Sequence, residues 1–136
     1  MTIRYIFDTC CLLFLSQPGI SIEPDARQAL KVAGGGFHVS AISAWEIGLL
    51  VAKGRLNLTR PPLEWFNMFV EDRSMNVLEV TPSILVGSSF LPEPLHGDPA
   101  DRIIIATARE YDLKIITRDK AILAYGAAGH VKTLAC

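Results

Sequence analysis

Apolar residues in this chain fall into short runs, each broken by an acid, a turn or a proline. Ile3-Arg4-Tyr5-Ile6-Phe7 is rich in β-branched and aromatic residues and predicts a buried strand ending at Asp8. A short apolar helix over Thr9 to Leu15 follows, closed by Ser16-Gln17-Pro18-Gly19. Ser21 to Pro24 predicts a turn, and Asp25 to Ala33 a helix stopped by Gly34-Gly35-Gly36. The three glycines lack the phosphate-cradling GxxxxGK[ST] pattern, so a helix C-cap and turn is their expected role. Phe37-His38-Val39 predicts a strand that feeds a helix over Ala41 to Ala52, stopped near Gly54.

Pro61-Pro62 starts the next helix, Leu63 to Arg73. Its apolar Leu63, Trp65, Phe66, Met68, Phe69 and Val70 make a stripe wide for one buried face. Core packing accounts for such a stripe, and a dimer or partner surface is the alternative. Asn76 to Val80 predicts a strand, Ser83 to Phe90 a helix and Leu91 to Gly97 a loop. Asp98 opens a helix reaching Tyr111, whose centre Ile103-Ile104-Ile105-Ala106 is apolar on every side and must be deeply buried. Lys114 to Thr117 is a strand, then come a short helix and a last strand around His130 to Leu134. The alternation gives an α/β fold, a mostly parallel sheet covered by helices on both faces, with residues 1–136 as one domain.

Half of the 136 residues are apolar and the mean hydropathy is +0.31, so some apolar surface is expected to meet a partner. The longest apolar stretches, Cys10 to Leu15 and Ile103 to Ala106, are too short to span a bilayer. Asp8 interrupts what would be the hydrophobic region of a signal peptide. A cytoplasmic protein without a membrane partner is expected. Cys10 and Cys11 are adjacent, Cys136 stands alone, and no CxxC occurs. His38, His96 and His130 show no HxxxH spacing. Buried apolar cysteines are therefore expected, neither disulfides nor a zinc site.

The acids change the picture. Asp8 and Asp119 stand just past two predicted strands, and Glu46 and Asp101 near two helix starts. In open α/β sheets, sites form outside the carboxyl ends of the strands. Each acid also has a local reading. Asp98 before Pro99 suits an N-cap with Asp101 at N3, Ser43 with Glu46 fits a capping box, and Asp8 and Asp119 could cap the helices after them. Capping, however, requires no convergence, and serine or threonine would cap without repulsion. Four carboxylates meeting at one edge call for a hard divalent cation, Mg²⁺ or Mn²⁺, that prefers oxygen ligands. The chemistry such a centre supplies is phosphodiester hydrolysis.

Glu46 or Asp119 could orient or deprotonate the attacking water. Thr9 and Thr117 offer hydroxyls, Asp98 supports Asp101, and Arg102 or Arg118 could bind phosphate or fix an acid. The net charge of −1, from 13 basic and 14 acidic residues, would become +3 once those four carboxylates are neutralised. Lys53, Arg55 and Arg60 cluster in sequence, and Arg102, Lys114, Arg118 and Lys120 flank the late acids. Lys53, Arg118 and Lys120 are the candidate contacts to a nucleic-acid backbone.

Four segments carry a resemblance. They are Phe7-Asp8-Thr9, the run Ser40-Ala41-Ile42-Ser43-Ala44-Trp45-Glu46-Ile47, the run from Asp98-Pro99-Ala100-Asp101-Arg102 to Ala108, and Ile116-Thr117-Arg118-Asp119. In order and spacing the chain resembles PIN-domain proteins, and among them the VapC-type toxins of bacterial toxin–antitoxin pairs. The resemblance implies a three-layer α/β/α sandwich, commonly dimeric. It implies a Mg²⁺- or Mn²⁺-dependent endoribonuclease whose acidic cluster matches Asp8, Glu46, Asp101 and Asp119. It also implies a cognate antitoxin whose C-terminal segment packs along a groove toward the acids. Asp98 and Asp101 stay alternatives as the ligand, as do one and two metals. Two other readings compete: a catalytically silent protein-binding module of the same fold, and a phospho-accepting receiver domain. The latter would want an adjacent acidic pair after strand one, whereas Asp8 is followed by Thr9-Cys10.

Overall fold

No polar side chain interrupts the first strand, β1 (Tyr5–Phe7), because both of its faces are covered. The computed structural model describes residues 4–17, 24–26, 28 and 36–136. In it β1 pairs in parallel with β2 (Phe37–Ser40), Phe7 opposite Val39, and with β4 (Lys114–Thr117), Phe7 opposite Ile116. The edges are β3 (Asn76–Leu78) beside β2 and β5 (Lys132–Ala135) beside β4. All pairs are parallel and the order is β3-β2-β1-β4-β5, not the 2-1-3-4-5 order of receiver-type sheets.

The helices are α1 (Thr9–Leu15), α2 (Ala41–Ala52), α3 (Pro62–Asp72), α4 (Pro82–Ser89), α5 (Pro99–Tyr111) and α6 (Lys120–Ala127). Residues 24–26 and 28 are also helical: Asp25, Ala26 and Gln28 fall within the predicted Asp25 to Ala33 helix, and Pro24, expected in the turn, is already helical. Ile3, Pro18-Gly19, most of the Ser21 to Pro24 turn and the Gly34-Gly35 helix stop lie outside the described residues.

Alternation along the strands splits the core in two. Tyr5, Phe7 and Ile116 point to a cluster with Leu12, Ile47, Phe66 and Phe69. Ile6 and Ile115 point the other way, to Ile84, Ile104, Ile105 and Ile122. Helices thus cover both faces of the sheet, as the pattern predicted. Phe37 stacks between Tyr5 and Phe7, with ring centroids 5.6 and 5.5 Å away. In α5 Ile104 and Ile105 are wholly buried. The stripe on α3 divides: Phe66 and Phe69 enter the core, whereas Leu63 is 69% exposed.

Among the boundaries that differ from expectation, three have a clear local cause. β3 stops at Leu78 and does not reach Val80, being an edge strand with Asn76 and Val77 exposed. α4 begins at Pro82 because the Thr81 hydroxyl accepts the Ile84 N–H at 3.2 Å. β5 starts at Lys132, not His130, because Gly129 at φ +89 turns the chain and the His130 N–H still bonds Tyr125 O. Among the described residues no helix is long and apolar enough to cross a membrane.

Candidate active site

Adjacent parallel strands end at the same sheet edge, so β1 and β4 bring Asp8 and Thr117 together. Asp8, 2% exposed, is the N-cap of α1 and accepts the Cys11 N–H on Oδ1 at 2.7 Å. Its Oδ2 accepts a short hydrogen bond from the Thr117 hydroxyl. The same Thr117 oxygen accepts the Asp119 N–H at 2.9 Å, and Asp119 Oδ1 caps α6 through the Ile122 N–H at 3.0 Å. The cap readings of Asp8 and Asp119 are therefore true, and capping leaves both carboxylates at the shared edge.

Glu46 is a different case. Ser40, at the end of β2, caps α2 by accepting the Ile42 N–H at 3.1 Å, so Glu46 sits in the second turn. The Ser43–Glu46 capping box does not form. Ser43 is buried, with its hydroxyl 2.8 Å from that of Thr9. Thr9 donates its single hydroxyl proton to Glu46 Oε1 in a short hydrogen bond, which makes Ser43 the donor to Thr9. Glu46 is thus tethered to the start of α1, one residue past Asp8.

Asp98 is the N-cap of α5, with Pro99 next, and accepts the Asp101 N–H at 3.0 Å. That bond involves Asp101's backbone and leaves its carboxylate to the site. Asp101, Asp119 and His96 each present one ligand atom within 4.8 Å of the others, a set able to hold a cation. Asp8 and Glu46 join this group through charge. Burial first, then Asp98, Asp119, Glu46 and Asp8, push the Asp101 carboxyl up to about 7. Asp8 is raised by burial, partly offset by its bonds from Thr117 and Cys11, and raised again by Asp119. Glu46 is raised by burial, offset by Thr9, and raised further by Asp98 and Asp8. Beside Asp101, His96 Nε2 lies 3.5 Å from Oδ2. Mutually repelling carboxylates that offer oxygen ligands suit a hard divalent ion, and beside them His96 Nε2 is buried with no hydrogen-bond partner among the described residues.

The basic candidates fare differently. Arg102 does not face the acids. Its guanidinium donates to Ser88 O at 3.0 Å, Leu95 O at 3.4 Å, His96 O at 3.3 Å and Glu93 Oε1 at 3.2 Å, fastening the loop before α5. Arg118 lies with its guanidinium 3.8 Å over the Phe14 ring. Lys120 is exposed at the first position of α6, directly after Asp119. Lys53, exposed at the end of α2, lines a groove of about 340 Å³ with Arg55, Trp45, Leu13 and Glu46. Arg60 leaves that cluster and pairs with Glu64 at 2.9 Å.

Cys10 corrects the expectation for the thiols. Cys11 and Cys136 are buried, but Cys10 faces outward from the one-sided helix α1. Burial and the four acids push its thiol up to about 11, so it is a poor nucleophile. His96 is the residue that sequence reasoning missed. The available signal was its place two residues before a capping Asp, where Nδ1 can accept the Asp98 N–H, here at 3.3 Å.

The PIN domain family model matches residues 5–127. Ribonuclease VapC22 of Mycobacterium tuberculosis (strain ATCC 25618 / H37Rv) is 35% identical over 97 residues, 71% of this chain and 72% of that protein. Among solved structures, a toxin–antitoxin complex from Klebsiella pneumoniae matches with TM-score 0.61 and 25% identity, over 88% of this chain and 90% of its own. VapBC2 from Rickettsia felis, bound to a DNA fragment from its promoter, matches with TM-score 0.70 over 98% of both chains. At 12% identity the latter speaks to the fold.

Proposed function

The chain belongs to the PIN-domain family, and on that premise we propose that it is a metal-dependent endoribonuclease, the toxin of a toxin–antitoxin pair. What supports the proposal is that Asp101 and Asp119 offer ligand atoms within 4.8 Å of each other, and that the charges of Glu46 and Asp8 bear on the same Asp101 carboxyl. Asp101 and Asp119, with Asp8 behind them, would hold Mg²⁺ or Mn²⁺. Bound there, the ion would lower the pKa of a water and stabilise negative charge on the phosphoryl oxygens.

The protein's own residues do the rest. Thr117 and the Cys11 N–H occupy the two oxygens of Asp8 and fix its plane. Thr9 holds one oxygen of Glu46 and leaves the other for a water, and the raised pKa of Glu46 suits it to accept a proton. Lys53, Arg118 and Lys120 supply exposed positive charge for an RNA backbone. The groove beside Glu46, with Trp45 53% exposed and Leu49 and Leu50 in its wall, is where an antitoxin segment would dock. The Klebsiella neighbour, itself a toxin–antitoxin complex, supports that partner. Leu85 and Val86 of α4 and Phe90 just after it, the last 81% exposed, are apolar side chains that would suit contact with a second copy of the chain. We read the chain as one cytoplasmic domain.

The test is incubation of the purified protein with total cellular RNA, with and without Mg²⁺ or Mn²⁺, followed by mapping of the cut ends. Cleavage is expected only with metal and is lost in Asp101→Asn. Undiminished cleavage in excess chelator, or in that variant, would overturn the mechanism. Absence of cleavage under every condition would favour the silent binding module.

A further inference from the structure

We propose that His96 is a positioning residue which donates its Nε2 proton to Asp101 and so fixes that carboxylate for the metal, without ligating the metal itself. The inference rests on the nuclease reading above. By distance alone His96 counts as a third ligand beside Asp101 and Asp119. The ring's other nitrogen argues otherwise. Nδ1 accepts the Asp98 N–H at 3.3 Å, so its lone pair is engaged and a neutral ring must carry its proton on Nε2. A protonated nitrogen has no lone pair to offer a metal, and Mg²⁺ in any case prefers oxygen.

Nε2 is sealed from solvent and finds no hydrogen-bond partner of good geometry among the described residues, yet it lies 3.5 Å from Asp101 Oδ2. It is an unspent donor beside an acid. Hydrogen bonds at catalytic centres are often long in the unloaded protein and tighten when the site fills. Metal-bound carboxylates, in turn, are commonly held by such a bond.

The surrounding loop is built to keep the ring in place. Arg102 reaches back from α5 to Ser88 O, Leu95 O, His96 O and Glu93. Tyr125 of α6 donates to Pro92 O at 2.7 Å, and Glu93 Oε2 accepts the Leu95 N–H at 2.9 Å. Both helices that bear Asp101 and Asp119 thus anchor the segment carrying His96. A connector with no further task would not call for fastening from both sides.

Three measurements test the assignment. In ¹⁵N-histidine spectra of the metal-free protein, Nε2 of His96 is expected to be protonated and Nδ1 bare, and to stay so when Mg²⁺ is added. The opposite tautomer, or loss of the Nε2 proton on loading, would overturn the proposal. In Mn²⁺ titration calorimetry, His96→Ala should weaken binding about 10- to 100-fold. His96→Gln keeps an N–H donor near the Nε2 position and should recover most of that loss. Equal Mn²⁺ affinity in wild type and His96→Ala refutes the positioning role, even if cleavage falls. Wild type that binds no Mn²⁺ refutes the metal-nuclease reading itself. Thermal melting of each variant separates these outcomes from loss of fold.

Discussion

Thr117 and Asp101 sit at one site, yet substituting them should move stability in opposite directions. The Thr117 hydroxyl is wholly buried, donates to Asp8 and accepts the Asp119 N–H. Thr117→Val keeps the shape and removes both bonds, leaving a buried carboxylate oxygen and a backbone N–H short of a partner. Urea denaturation should register a loss of about 1–3 kcal/mol, with Thr117→Ser close to wild type. Asp101 is crowded by burial and by neighbouring carboxylates, and only the long 3.5 Å approach of His96 Nε2, which an Asn oxygen can still accept, bears on its carboxylate. Asp101→Asn should therefore abolish cleavage while the metal-free protein melts at the same temperature or higher near neutral pH. A marked drop in melting temperature would mean that Asp101 is a structural acid. These distinctions between neighbours were not legible in the chain. Sequence offered an acid and a threonine at each strand end, but which oxygen meets which proton depends on side-chain direction.

Elements were legible where one local signal dominated. Tyr5-Ile6-Phe7 could hardly be anything but a covered strand, and Asp98-Pro99 fixed the start of α5. Where two signals competed, chain pattern alone misplaced the feature. Ser40 and Ser43 both suit an N-cap, and only the extended backbone at the end of β2, ψ 143, selects Ser40. Arg102 read as a phosphate contact because its partners, Ser88, Glu93, Leu95 and His96, approach it only once the loop folds back. The seam between α6 and β5 gives a test at this scale. A Cβ on Gly126 would lie 2.6 Å from Thr133 Cγ2, and the β-branched Thr133 has little freedom to turn aside. Helix propensity favours alanine there by about 1 kcal/mol. Overlap should outweigh it, so Gly126→Ala is expected to cost about 1–3 kcal/mol in urea denaturation. Adding Thr133→Ala should return part of that loss. A more stable Gly126→Ala variant would show that β5 does not pack against α6 as closely as described.

At the scale of the whole molecule, one charge-dense sheet edge should set how stability answers to pH and metal together. Asp101 stands near 7 when folded against an ordinary 3.8, and Asp8 and Glu46 are also raised. Between those values the folded chain holds protons that the unfolded chain has released. The stabilisation this confers is complete below the ordinary carboxylate range and is lost as pH rises through about 7. From these groups alone, the metal-free protein should melt at a lower temperature at about pH 8 than at about pH 5.5. Divalent ions act in the reverse sense, because they bind the deprotonated cluster and stabilise the folded state by mass action. The rise in melting temperature on saturating with Mg²⁺ should therefore be small at acid pH and grow through neutrality. Asp101→Asn removes the carboxyl that burial and its acidic neighbours push up to about 7, so it should flatten the metal-free pH dependence and shrink the Mg²⁺ effect in the same window. Differential scanning calorimetry of both proteins, with and without Mg²⁺, reads all four curves. A Mg²⁺ shift that ignores pH would place the ion somewhere other than these acids. An unaltered pH dependence in Asp101→Asn would mean that its carboxyl titrates as an ordinary surface acid.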